Sequence, residues 1–132
     1  MNVTKKTRRY LDLARRVARQ SEHDHFKHGA VMIKGGSIIN TSHNKGNYKK
    51  FGNRFRDLKS CGHATHHAEL GCVLGLDKAQ TQGTTVYVVR VNRRDEFRNS
   101  KPCLMCEEVL KFCGVKKVVY TTGENSVGSY KL

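Results

Sequence analysis

An α/β domain is predicted from three features of the chain. β-branched runs at 84–91 and 115–121 enclose a helical segment, giving a βαβ unit whose strands should be parallel with a right-handed crossover. Residues 29–33 and 37–41 flank Lys34-Gly35-Gly36 as a hairpin. Ahead of both, residues 4–20 carry apolar side chains at helical spacing.

In the first segment Tyr10, Leu11, Ala14, Val17 and Ala18 share one face, while Arg8, Arg9, Arg15, Arg16 and Arg19 largely occupy the others, giving an amphipathic helix with a basic exterior. Its Asp12 and its direct run into a strand set it apart from an Arg-rich transit peptide. In the hairpin that follows, Gly35 and Gly36 supply the positive φ that a tight turn needs. Residues 44–64, rich in Asn, Gly and Lys and without apolar periodicity, read as a long loop. A helix follows, with His67, Leu70, Gly71 and Leu74 on one side, ending at Gly75 or Asp77. The strand at 84–91 has Tyr87 at its centre. Pro102 is expected in the first turn of a second helix, which runs through Phe112 to a stop at Gly114. Beyond Thr121 only a short edge strand, 128–132, is expected. No repeat, low-complexity tract or linker divides the chain, so residues 1–132 are read as one domain.

The 132 residues are 37% hydrophobic and 27% charged, as in a soluble globular domain rather than a disordered or fibrous chain. No apolar run reaches membrane-spanning length, and the N-terminal Lys5, Lys6, Arg8 and Arg9 lack the apolar stretch of a secretory signal. A cytoplasmic protein without a membrane partner is therefore expected. The 25 Lys and Arg against 11 Asp and Glu give a net charge of +14, which points to a phosphate or polyanion as partner. In a chain without an export signal, the five cysteines are expected to bind metal or to pack rather than to form disulfides.

Two short motifs carry chemistry. His67-Ala68-Glu69 begins one predicted helix and Pro102-Cys103-Leu104-Met105-Cys106 begins the other. Cysteines three residues apart at a helix N-terminus share a side, where the helix dipole favours thiolates. His67, Cys103 and Cys106 together offer three ligands to a tetrahedral Zn2+ and leave the fourth position to water, as catalytic rather than structural sites do. Zinc lowers the pKa of bound water to roughly 7, and Glu69, two residues from a ligand, is placed to carry the proton.

These paired motifs, on those elements and in that order, resemble the cytidine and deoxycytidylate deaminase superfamily, whose zinc deaminases share the H-x-E…P-C-x-x-C signature. The resemblance runs from about residue 4 to residue 121 and implies a three-layer α/β/α fold with a mixed central sheet. It implies Zn2+ as cofactor, His67, Cys103 and Cys106 as metal ligands, Glu69 as general acid and base, and Asn44 as a substrate contact. Asn44 also reads as a turn residue beside Lys45-Gly46. Cys61, His63 and His66, just ahead of the first motif, are ordinary loop groups or an accessory metal site. Cys72 and Cys113 are expected to pack as small hydrophobes.

The superfamily acts on nucleotides, nucleosides, free bases, tRNA and single-stranded DNA. The Pro-Cys-x-Met-Cys form resembles the deoxycytidylate and tRNA adenosine branches, so that adenine stands as the alternative base, while the segment Gly114-Val115-Lys116-Lys117-Val118-Val119-Tyr120 resembles the deoxycytidylate branch, which favours a cytosine nucleotide as substrate. Against this, Lys45, Lys49, Lys50, Arg54, Arg56 and Lys59 interleave with Tyr48, Phe51 and Phe55, a pairing of charge and stacking faces that suits single-stranded nucleic acid. Arg90, Arg93, Arg94, Arg98 and Lys101 add a second basic stretch before the Pro-Cys motif. A non-catalytic nucleic-acid-binding module with a structural zinc is the alternative of a different class. The shortness of the C-terminal region, against relatives with an additional helix, suggests subunits that complete one another in a homo-oligomer.

Overall fold

The structure is a computed structural model that describes residues 3–21, 26–48, 65–124 and 126–132. The first helix, α1 (Lys5–Ala18), begins at Thr4, whose hydroxyl accepts a hydrogen bond from the Thr7 amide at 3.1 Å. It buries Tyr10, Leu11, Ala14, Val17 and Ala18, the five positions marked by its apolar periodicity. β1 (Lys27–Lys34) and β2 (Ser37–His43) form the expected hairpin, closed by Gly35 and Gly36 at φ of 58° and 82°.

From residue 44 the structure departs from the expected loop. β3 (Lys45–Tyr48) pairs antiparallel with β4 (Thr65–His66) in a separate two-stranded sheet. Its partner lies across residues 49–64, so no local pattern announces it. Lys49, Lys50, Phe51, Arg54, Phe55, Arg56 and Lys59 of the basic loop, with Cys61 and His63, lie outside the described residues.

The helix after β4 is split. α2 (Ala68–Val73) ends where Leu74 turns extended and Gly75 adopts φ of 81°. Asp77 then caps a new short helix, α3 (Lys78–Thr81), with its carboxylate accepting from the Gln80 amide and its own amide donating to Gln80 Oε1. β5 (Thr85–Val91) and β6 (Phe97–Arg98) make a second hairpin. α4 (Leu104–Phe112) closes on Gly114 at φ of 82°, as expected. Its N-cap, however, is Cys103, so Pro102 lies just before the helix rather than in its first turn. That offset leaves Cys103 extended at the helix mouth, beside Cys106 in the first turn. β7 (Lys117–Gly123) and the edge strand β8 (Ser126–Lys131) complete the chain.

The main sheet runs β2-β1-β5-β7-β8, with β6 pairing onto β5. β5 and β7 are parallel, as the βαβ unit requires, and the other pairs are antiparallel, so the sheet is mixed. Strand periodicity divides the core in two. Val31, Ile33, Tyr87, Val89 and Val91 pack with α1 on one side. Ala30, Met32, Val86, Val88 and Val118 pack with Leu70 of α2 and Val109 and Leu110 of α4 on the other. Helices on both faces of the sheet make three layers. α1 comes so close to β1 that a Cβ on Gly29 would stand 2.1 Å from the Ala14 carbonyl oxygen. Among the described residues, no helix is long and apolar enough to cross a membrane.

Candidate active site

The two motifs converge because both begin helices on the same side of the sheet. His67 caps α2 and Cys103 caps α4, each in extended backbone that turns its side chain out of the helix mouth. His67 Nδ1 lies 3.1 Å from Cys106 Sγ and 3.7 Å from Cys103 Sγ. The three ligand atoms fall within 4.8 Å of one another, a spread that one ion with bonds of about 2.0–2.3 Å can span.

Glu69, in the first turn of α2, is 4% exposed, and its Oε1 is buried without a hydrogen-bond partner. Burial pushes its carboxyl above the ordinary carboxylate range, opposed by the attraction of His67. Hydrogen bonding to Cys103 holds the His67 imidazole above its ordinary value, against burial. Contact with Cys103, then burial, pushes the Cys106 thiol well up. The buried Cys106 thiol and Glu69 carboxyl resist ionisation alone, and a divalent cation at the cluster would favour their ionised forms. The donor set therefore fits zinc, with three soft or borderline ligands and an acid at hand.

The loop that delivers Cys103 is pinned by a residue the sequence does not single out. Ser100 Oγ donates to the Val88 carbonyl at 2.8 Å and accepts from the Thr121 amide at 2.8 Å, while the Ser100 amide donates to the Thr121 carbonyl at 2.8 Å. Thr121 Oγ1 donates in turn to the Arg98 carbonyl at 2.7 Å. A serine before Lys-Pro carries no pattern of its own, so only the fold reveals this clamp between β5 and β7.

Asn44 is tied to the start of β1. Its Oδ1 accepts from the His28 amide at 2.9 Å and its Nδ2 donates to the Phe26 carbonyl at 2.8 Å. Asn44 directly precedes Lys45, which pairs with His66, the residue before His67. An amide side chain has two acceptor and two donor positions, so it retains one of each for another contact. Cys72 is fully buried, as expected, and burial pushes its thiol up; Cys113 is half-buried at the end of α4. Of the second basic stretch, Arg90 and Arg98 face one another across β5 and β6, and Lys101 lies over the Tyr130 ring at 5.9 Å. Tyr130, on β8, buries its hydroxyl without a hydrogen-bond partner, and burial, then Glu107, raises its pKa.

Against known families, the model described as the cytidine and deoxycytidylate deaminase zinc-binding region matches residues 4–122. No individual curated protein matches the sequence. Among solved structures, dCMP deaminase from the cyanophage S-TIM5 in its apo form is similar with a TM-score of 0.58 and 19% identity, over 91% of this chain and 86% of that one. The same cyanophage enzyme in complex with dCMP and dUMP gives a TM-score of 0.53 and 20% identity, over 92% of this chain and 85% of that one. Acinetobacter baumannii RibD, form 2, is similar with a TM-score of 0.55 and 23% identity over 89% of this chain. The chain spans only 28% of the length of RibD. At these identities the structural likenesses speak for the fold.

Proposed function

The chain belongs to the cytidine and deoxycytidylate deaminase family, and we propose that it removes the amino group of a cytosine nucleotide, deoxycytidylate, by hydrolysis. In that reaction water and dCMP give dUMP and ammonia. The observation that carries it is the juxtaposition of Glu69 with the cluster of His67, Cys103 and Cys106: a buried carboxyl, short of a partner at Oε1, beside three metal-ligand atoms. An acid kept in such a place without a partner costs stability and gains a use only with a substrate.

His67, Cys103 and Cys106 would hold the zinc. When bound, that ion supplies a Lewis acid and lowers the pKa of water in its open position to about 7. Glu69 Oε1 takes the proton from the attacking water as oxygen adds to the amino-bearing ring carbon. It returns a proton to the departing amino group, so that the C–N bond breaks to neutral ammonia rather than to an amide anion. Asn44, fixed by its bonds to the Phe26 and His28 main chain, offers one donor and one acceptor to the substrate.

The basic and aromatic composition of residues 44–64 supports single-stranded nucleic acid as the rival substrate. Ammonia release from deoxycytidylate and from a cytosine-containing oligonucleotide, at matched cytosine concentration and rising salt, separates the two. Turnover of the mononucleotide with a flat salt dependence is the expected result. Turnover of the oligonucleotide alone, with an affinity slope near −3.5 for about five neutralised phosphates, overturns the nucleotide assignment. Tight, salt-sensitive binding without turnover of either substrate marks a binding module instead.

A further inference from the structure

Taking deoxycytidylate as the substrate, we propose that Arg90 receives its phosphate group and so selects a nucleotide over a nucleoside. Arg90 is the last residue but one of β5, where His28 of β1 pairs with it on one side and Arg98 of β6 on the other. Alternation along the strand puts it on the face of Val86 and Val88, which pack with α2 and α4. It therefore projects on the side of the sheet that carries His67 and Cys103. His28 and Phe26 link it to the site, because Asn44 is bonded to the main chain of both and directly precedes Lys45, which pairs with His66, the neighbour of His67.

The guanidinium is held but not neutralised. Its carbon lies 4.3 Å from the centre of the Phe26 ring, which fixes its plane. Its Nε is buried without a hydrogen-bond partner, and no carboxylate among the described residues is within ion-pair distance of it. Arg98 is different: Glu96 stands 3.6 Å away, and that carboxylate also accepts from Asn92 Nδ2 at 3.0 Å. Burial and the neighbouring Arg98 both act against the charge on Arg90. A half-buried cation with another cation beside it and no acid is unfavourable in the empty protein, and a phosphate reverses the balance.

The hairpin that carries these arginines is stiff. Asn92 Oδ1 accepts from the amides of Arg94 at 2.9 Å and Glu96 at 3.0 Å, and Asp95, at φ of 63°, is gripped by Arg19 at the C-cap of α1. A planar fork on a rigid hairpin matches a phosphate monoester, and the approach costs little ordering.

Steady-state kinetics on zinc-loaded wild type, Arg90→Met and Arg90→Lys, with deoxycytidylate and deoxycytidine, test the assignment. Arg90→Met should lose about 10- to 100-fold in kcat/KM for deoxycytidylate, mostly through KM, and change deoxycytidine by less than about twofold. Arg90→Lys keeps the charge without the fork and should lie between. Equal losses on the two substrates, or no loss on deoxycytidylate, overturn the proposal, and so does a loss confined to a cytosine-containing oligonucleotide. Calorimetry with inorganic phosphate reads the site without turnover. Binding by wild type that Arg90→Met abolishes supports the phosphate site even if no cytosine compound is deaminated, whereas equal binding by both, or binding by neither, contradicts it.

Discussion

Against α1, the charged side chain that enters the packing finds partners, since Arg15 bonds Asp12 at 2.9 Å and lies 4.3 Å from the centre of the Phe97 ring, and at the surface Arg19 grips Asp95 through two nitrogens. Against α2 and α4, Glu69 Oε1, Arg90 Nε and Tyr130 Oη are buried with no hydrogen-bond partner. All three unsatisfied side-chain atoms found among the described residues belong to this second face. Each such atom costs roughly 1–3 kcal/mol relative to a satisfied one. The α1 layer thus satisfies its charged groups internally or at the surface, and the layer that carries the candidate site buries three unsatisfied polar atoms.

Glu69→Gln strains that contrast most. It should cut kcat by about 10²- to 10⁴-fold while zinc content stays at one per chain and the thermal midpoint holds or rises. Ammonia assays, metal analysis and melting on one preparation check all three. Chelation comes next. Zinc at a thousandfold excess over its Kd contributes about 4 kcal/mol, so its removal should lower the midpoint by about 10–20 °C. A melting curve unmoved by chelator would show that the cluster of His67, Cys103 and Cys106 holds no ion.

The α1 layer breaks through packing instead. A methyl group at Gly29 meets the Ala14 carbonyl oxygen, so Gly29→Ala should destabilise by about 1–3 kcal/mol in chemical denaturation and leave the kcat of the folded fraction unchanged. The smallest effect belongs to Arg19→Ala, at under about 1 kcal/mol, because the pair with Asp95 is exposed. The hydrogen bond from Arg19 holds the Asp95 carboxyl below its ordinary range. Its contribution is therefore present above the unfolded pKa near 3.9 and lost as pH falls through the lower folded value. Denaturation midpoints from pH 2 to 6 should show a shallower acid loss in the variant.

What could be read from the sequence follows from how local each signal is. The face of α1, the glycine turn at 35–36, the parallel pair β5 and β7, and both metal motifs repeat or cap within a few residues. The pairing of β3 with β4 depends on a partner across residues 49–64, and Lys45-Gly46-Asn47-Tyr48 has no strand pattern of its own. The break after Val73 was marked by Gly75 and Asp77, but their order as the end of one helix and the start of another was not. β6 is too short for any period, so the hairpin that sets Arg90 beside Arg98 was visible only as a run of basic residues. Ser100 and Tyr130 gave no local sign at all. At the site, the residues that cluster, His67, Cys103 and Cys106, were legible from the two motifs, while the lack of a partner for Glu69 Oε1 belongs to the packed structure.

The most direct test of the division between the two faces is ammonia release from deoxycytidylate by zinc-loaded wild type and zinc-loaded Glu69→Gln, with the thermal midpoint of each recorded alongside. Turnover in wild type, its loss in a variant that is no less stable and still holds zinc, is the predicted result. Full turnover by Glu69→Gln, or a folded, zinc-loaded wild type that releases no ammonia from any cytosine compound, would contradict it.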